Sequence, residues 1–430
     1  MANRDAAERA VLASLTRITE RDPVIRAWLH VDPQGALAQA RRLDAEQSVR
    51  GPLHGVPIGV KDVFDTFDMP TTHNSPVFAG HQPGRDAACI QTLRAAGAII
   101  IGKTDTTEFA AAGRDAATAN PHDPTRSPGG SSAGSAAAVA DGHVRIALAT
   151  QTGGSTIRPA SFCGVYGFKP TWGLVSREGV KLYANSLDTV GWHTRALEDC
   201  EQVCEIFGFA PPKPARRPGA LRLALCRTPF WDHADLEVRA ALLHISEALK
   251  DLGVEVHELD LPTPFETLNA VHRTILFREG AAAFLNLARS VPDRLHEDFH
   301  IRVATASAHV SPFDDQSLRS AYDVAAAARA TFEALAAPFD AVLCLSAPTA
   351  APIGRGPGDP VLNQLWTLLH APVVSLPLAK TAEGLPIGVS LAAARFEDRR
   401  LLGVAREVEA LLAHRNIRPT CADVSAPNTD

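Results

Sequence analysis

The 430 residues predict an α/β fold in which one large mixed sheet is covered by helices on both faces. Three observations carry that expectation. Short apolar, strand-length runs alternate with helical patterns along the chain. Hydrophobic residues make up 46% of the sequence, enough for a large buried core. Glycine-rich turns also follow several of the apolar runs.

In chain order, residues 5–20 and 33–47 show helical periodicity, and Gly55-Val-Pro-Ile-Gly-Val-Lys61 reads as a short strand with Lys61 at its carboxyl end. A helix near 86–96 leads through Gly97 into the strand Ala98–Ile101, and a loop rich in Pro, Asp and Arg follows at 120–128. The run Gly134–Gly142 holds helix formers closed by a glycine, and Val144–Ala149 is a buried strand. Strands are expected at 221–227, 254–261, 341–346, 373–378 and 387–391, with helices near 195–207, 235–252, 362–370 and 397–414. Pro211–Pro218 is the best linker candidate, but the same texture continues on both sides, so it reads as a loop within one domain, 1–430. Within that domain an N-terminal helical part spans about 1–50 and a core about 51–200, and the remainder completes the sheet.

Charge and cysteine content exclude several classes. Lys and Arg total 42 against 48 Asp and Glu, a formal net charge of -6, so no overall positive field draws the chain to a polyanion. The longest apolar runs fall far short of the roughly 20 residues that a membrane helix needs. Seven cysteines, an odd number without a Cys-x-x-Cys pair, fit reduced thiols rather than a disulfide framework or a zinc knuckle. The first residues carry Asp5, Glu8 and Arg9 where an export signal would be apolar, and a cytoplasmic location is the expectation.

Two Gly/Ser turns, Gly129-Gly-Ser-Ser-Ala-Gly-Ser135 and Thr152-Gly-Gly-Ser155, flank one helix–strand unit. Glycines let the backbone turn sharply and approach a substrate, and consecutive N–H groups before a serine can form an anion nest suited to acyl transfer. With Gly55–Asp62, Pro128–Ser135, Thr150–Ser155 and Ser161–Thr171 in this order and spacing, the chain resembles the amidase signature hydrolases. The likeness extends to Ser186–Gly191 and Gly384–Val389. The resemblance implies a Ser–Ser–Lys triad: Ser155 as nucleophile, Ser131 as a bridging serine entered through a cis peptide, and Lys61 as base. It also places the oxyanion hole on the backbone of Thr152, Gly153, Gly154 and Ser155. A lysine serves as base only when neutral, so Lys61 must be desolvated enough to lower its pKa.

Two positions depart from the family pattern. Gln151 stands where an acidic residue is usual, and an arginine common two residues after the nucleophile lies three after it, at Arg158. Ala133 replaces a common glycine. Other motifs compete. Gly130–Gly134 satisfies Gly-x-Ser-x-Gly with Ser132 as nucleophile, but that elbow must follow a buried strand, which Asn120–Pro128 cannot form. His296-Glu-Asp-Phe-His300 matches His-Glu-x-x-His, a zinc pattern, yet Arg294, Asp298 and Arg302 make it read as a solvated helix face. Cys163 sits between apolar neighbours as a structural thiol, Ser132 and Ser135 read as turn or cap hydroxyls, and Lys169 reads as structural. A direct role for Ser132, Ser135 and Asp62 stays open.

The expected activity is hydrolysis of an amide, urea-like or carbamate carbon–nitrogen bond through a Ser155 acyl-enzyme, with no cofactor and no metal. The expected partners are a small-molecule amide and water, without nucleic acid or membrane, and a homodimer is left open. The alternative is the glutamine-hydrolysing A-type subunit of a tRNA-dependent amidotransferase.

Overall fold

Ile99, Ile100 and Ile101 occupy consecutive positions of one strand and are all fully buried. Side chains alternate across a strand, so such a run needs cover on both faces. Ile100 packs with Ile58, Val60 and Leu148 in one core, which also takes in Leu242, Ile245, Leu401 and Val408 from later helices. Ile99 and Ile101 pack on the opposite face with Val11, Ile18, Ala40 and Val139.

The structure is a computed structural model describing residues 5–211, 221–307 and 311–414. Its strands are β1 (Trp28–Val31), β2 (Pro57–Lys61), β3 (Ile99–Thr104), β4 (Ile146–Gln151), β5 (Tyr166–Lys169), β6 (Thr189–Thr194), β7 (Arg222–Leu225), β8 (Glu255–Glu258), β9 (Ala341–Leu345), β10 (Val373–Lys380) and β11 (Pro386–Ala392). They form one sheet in the order β1-β3-β2-β4-β6-β5-β10-β11-β9-β7-β8. Pairing is parallel for β2 with β3 and β4 and for β7 with β8 and β9, and antiparallel elsewhere. The expected single α/β domain with a mixed sheet and two helical layers is the architecture found.

Differences from the expected elements are informative. The segment before residue 50 contains β1, which pairs with β3 and extends the sheet. Strands β5 and β6 and the helices Ile157–Cys163, Leu268–Ser290 and Asp315–Ala336 were not anticipated. The linker candidate lies outside the described residues from 212 onward.

The Gly/Ser/Ala segment becomes the helix Ala133–Ala140, which packs against β4. Gly134 is required there: a Cβ would stand 2.2 Å from Ala27 O and 2.4 Å from Asp105 N. The close approach seats the helix start, and Ser131 and Ser132 immediately before it, against the sheet.

Candidate active site

Parallel pairing of β2 with β4, with Gly59 opposite Ala147 and Val60 opposite Leu148, brings the ends of both strands to one edge. Lys61, the last residue of β2, is fully buried there. Its Nζ lies 2.8 Å from Ser131 Oγ, 2.9 Å from Ser132 Oγ and 2.8 Å from Thr150 Oγ1. Burial holds its pKa well below the usual lysine value, and the charge of Asp188 opposes that shift. The Gly130–Ser131 peptide is cis. Ser155 follows the turn after β4 and is 9% exposed. Its hydroxyl makes no hydrogen bond among the described residues, whereas Lys61 and Ser131 are joined directly.

The turn that carries Ser155 is held by its carbonyls. His272 Nε2 meets Thr152 O at 2.8 Å, Thr367 Oγ1 donates to Gly153 O at 2.8 Å, and Arg158 N donates to Gly154 O at 2.9 Å. The Thr152 hydroxyl donates to Asp188 Oδ1 at 2.5 Å, and Asp188 Oδ2 accepts the N–H groups of Tyr183 and Ala184. The N–H groups of Gly153, Gly154 and Ser155 donate to no protein acceptor among the described residues. Free N–H groups on a turn whose carbonyls are occupied are able to receive a negatively charged oxygen. A Cβ at Gly154 would lie 2.4 Å from Asn363 Oδ1 and 2.8 Å from Arg158 Nη1, so both side-chain ends would have to shift.

Both unusual positions have structural work to do. Gln151 Oε1 accepts from Thr156 N and Ile157 N at 2.9 and 3.1 Å, capping the helix Ile157–Cys163, while its Nε2 donates to Thr367 Oγ1 at 3.0 Å. An acidic side chain could accept those two N–H bonds but could not donate to Thr367. Arg158 is buried, donating through Nη2 to Gly130 O and through Nε to Pro357 O, each at 2.6 Å. Desolvation lowers its pKa to about 10, so it stays charged at neutral pH.

The remaining sequence candidates sort plainly. Ser132 follows no strand; its hydroxyl takes a bond from Lys61 and donates to Thr150 O. A direct role for Ser132 was left open in the sequence, whereas the contact of Thr150 with Lys61 was missed because it depends on the local turn. Asp188, the bracing carboxylate, lies inside the Ser186–Gly191 motif but carried no signal of its role. Asp62 pairs with buried Lys103 at 3.0 Å and accepts from Thr72, so it holds backbone rather than Lys61. Ser135 Oγ donates to Leu148 O, and Lys169 Nζ donates to Pro170 O and Ala371 O. Cys163 is buried with its thiol pKa pushed up, its Sγ 3.3 Å from Pro128 O. His300 Nε2 meets Pro292 O and His296 Nδ1 accepts from Asp298 N. Among the described residues no cluster of three His, Cys, Asp or Glu is placed to hold a metal ion, and no helix is long and apolar enough to cross a membrane.

Comparison with known proteins agrees with this geometry at the level of family: the Amidase family profile matches residues 9–402, and the chain belongs to the amidase signature family. It is a carbon–nitrogen hydrolase of the amidase type. Among curated relatives, the A subunit of glutamyl-tRNA(Gln) amidotransferase from Chloroflexus aurantiacus is 33% identical over 95% of this chain and 93% of its own length. Its namesake from Symbiobacterium thermophilum is 34% identical over 96% of this chain and 94% of its own. A solved structure described as a vestigial protein complex bearing on the origins of an s-triazine catabolic enzyme superposes with a TM-score of 0.83 at 28% identity, covering 97% of this chain and 96% of that one. These relatives correct one expectation. Subunits of an enzyme named for glutamyl-tRNA(Gln) overturn the partner set of a small-molecule amide and water without nucleic acid.

Proposed function

We propose that the chain is a glutamine-hydrolysing A-type subunit of a tRNA-dependent amidotransferase. The observation that carries this is the near-full-length similarity to two curated subunits of that name. In this reading Ser155 Oγ attacks the side-chain amide carbon, and the N–H groups of the turn at Thr152, Gly153, Gly154 and Ser155 hold the oxyanion. The proton from Ser155 passes through Ser131 and Lys61 to the departing nitrogen, releasing ammonia and leaving an acyl-enzyme. Water then cleaves that ester, returns the proton to Ser155 and frees glutamate. Ammonia goes on to partner subunits that bind the charged tRNA, and the work is cytoplasmic. The chemistry belongs to residues 51–200, while the segments before and after complete the sheet and the pocket.

The test measures ammonia release from glutamine by the chain alone and with its co-purified partners, alongside a panel of simple amides, ureas and carbamates. Glutamine turnover that rises with partners, coupled to amidation of glutamyl-tRNA, supports the reading. Turnover of simple amides by the chain alone, with glutamine inert under every condition, makes it a stand-alone amidase instead.

A further inference from the structure

A narrow pocket lies beside the serine turn, and its walls include Thr150, Thr152, Asp188, Phe109, Tyr183 and Lys181. It adjoins the chemistry directly, because Thr150 bonds Lys61 and Thr152 begins the turn. Lys181 is anchored next to the same strand end: its N–H donates to Val63 O, and Val180 bridges Phe64.

The side chain of Lys181 has more donors than partners. An ammonium has three N–H groups, yet its only hydrogen bond among the described residues is a 3.3 Å contact to Ala283 O. Its Nζ lies 4.5 Å from the Phe284 ring centre and 5.8 Å from that of Phe109, faces that stabilise the charge weakly compared with a carboxylate. No carboxylate approaches within 4.0 Å of it among the described residues. Asp188, the pocket's carboxylate, spends both oxygens on Thr152 and on the Tyr183 and Ala184 amides. Arg177, the other cation on the wall, donates to the carbonyls of Asn185 and Asp188 and lies over Trp172. Two cations therefore face one carboxylate, and the lysine has unused donors in aromatic surroundings.

We infer that Lys181 selects the donor by pairing with an anionic group, a carboxylate, on the substrate amide. The inference rests on the proposed amide-hydrolysing site and narrows what enters it. Burial brings the Lys181 pKa down to about 8, so the ammonium persists at neutral pH. Lys181 is a specificity residue; it takes no part in bond cleavage.

The test compares two amides that differ in one group, glutaric acid monoamide and pentanamide, on the wild-type protein, Lys181→Met and Lys181→Arg. The wild type should prefer the carboxylated amide through a lower KM. Lys181→Met should cut the ratio of the two kcat/KM values at least tenfold, mainly through KM, and Lys181→Arg should restore most of it. Glutarate titration supplies a readout independent of turnover: the wild type should bind it at least tenfold more tightly than Lys181→Met. Equal loss on both amides, no preference in the wild type, or glutarate binding that ignores the substitution overturns the inference. Preference for the carboxylated amide with glutamine inert even beside partner subunits would leave the inference standing and remove the amidotransferase reading. Partner-dependent glutamine turnover unaffected by Lys181→Met would do the reverse.

Discussion

Lys61 donates toward three hydroxyl oxygens at once, which suits an ammonium, while complete burial opposes the charge. If its neutral form is the base, kcat/KM should rise with pH through a Lys61 pKa lying below that of an exposed lysine. Lys61→Ala should lose most of the rate, and Lys61→Arg should not restore it, because a guanidinium stays protonated. Removing an acceptor should destabilise the ammonium, so Ser132→Ala and Thr150→Val should move the acid limb of the pH–rate profile to lower pH. An upward shift would show that those hydroxyls do not favour the charged form. Ser155→Ala should abolish turnover, and a fluorophosphonate should label Ser155; mass spectrometry finding the label on Ser132 would restore the elbow motif. The meeting of Lys61 and Ser131 was legible because their motifs are local and ordered along the chain. The contacts of Ser132 and Thr150 were not, since which hydroxyl reaches the lysine depends on a turn conformation that no periodicity encodes.

The turn after β4 and the helix Ile157–Cys163 act as one element joined by Gln151. Gln151→Ala leaves two buried N–H groups without their acceptor and should cost about 1–3 kcal/mol in denaturant unfolding. Gln151→Glu keeps both acceptors but competes for the Thr367 hydroxyl proton that now reaches Gly153 O, so its kcat should fall several-fold with little change in stability. Strands β2, β3 and β4 were readable from their apolar runs. Strands β5 and β6 were not, because Tyr166-Gly-Phe-Lys169 and Thr189-Val-Gly-Trp-His-Thr194 mix glycine with polar residues and hold no apolar run; a Cβ at Gly167 would meet Ala160 Cβ at 2.4 Å, and one at Gly191 would meet Phe168 O at 2.5 Å. In composition such segments look like turns. His296 and His300, at the start of the helix Glu297–Ser307, carry the zinc-like spelling that the charged neighbours marked as a solvated helix face, and both bond the chain itself. EDTA should leave activity unchanged, and recovery with zinc after a loss would bring His296 and His300 back into the mechanism.

Five buried histidines set the acid response of the whole molecule. Burial lowers His143, His193 and His272 to about 4, and His73 and His370 to about 3, against an ordinary 6.5. Each then binds a proton more readily unfolded than folded, so its contribution is complete above pH 6.5 and is lost as pH falls toward 3–4. Asp105 and Asp188, raised to about 6 by burial, act in the opposite sense and offset part of the loss. Thermal midpoints should therefore fall from pH 6.5 to 4. Replacing His272 by Gln, which can still donate to Thr152 O, should shallow that slope; an unchanged slope would assign the acid sensitivity elsewhere.

The strand order has a consequence for how the molecule is made. β5 lies between β6 and β10, yet β10 follows it by roughly 200 residues of chain. At translation rates of about 5–20 residues per second, that separation leaves one side of β5 unpaired on the ribosome for on the order of 10–40 s. An unpaired strand edge is a template for pairing with another chain. Expression yield should therefore depend on chaperone supply more steeply than the stability of the finished protein would suggest. Chains truncated before residue 373 should be far less soluble than their share of the core implies.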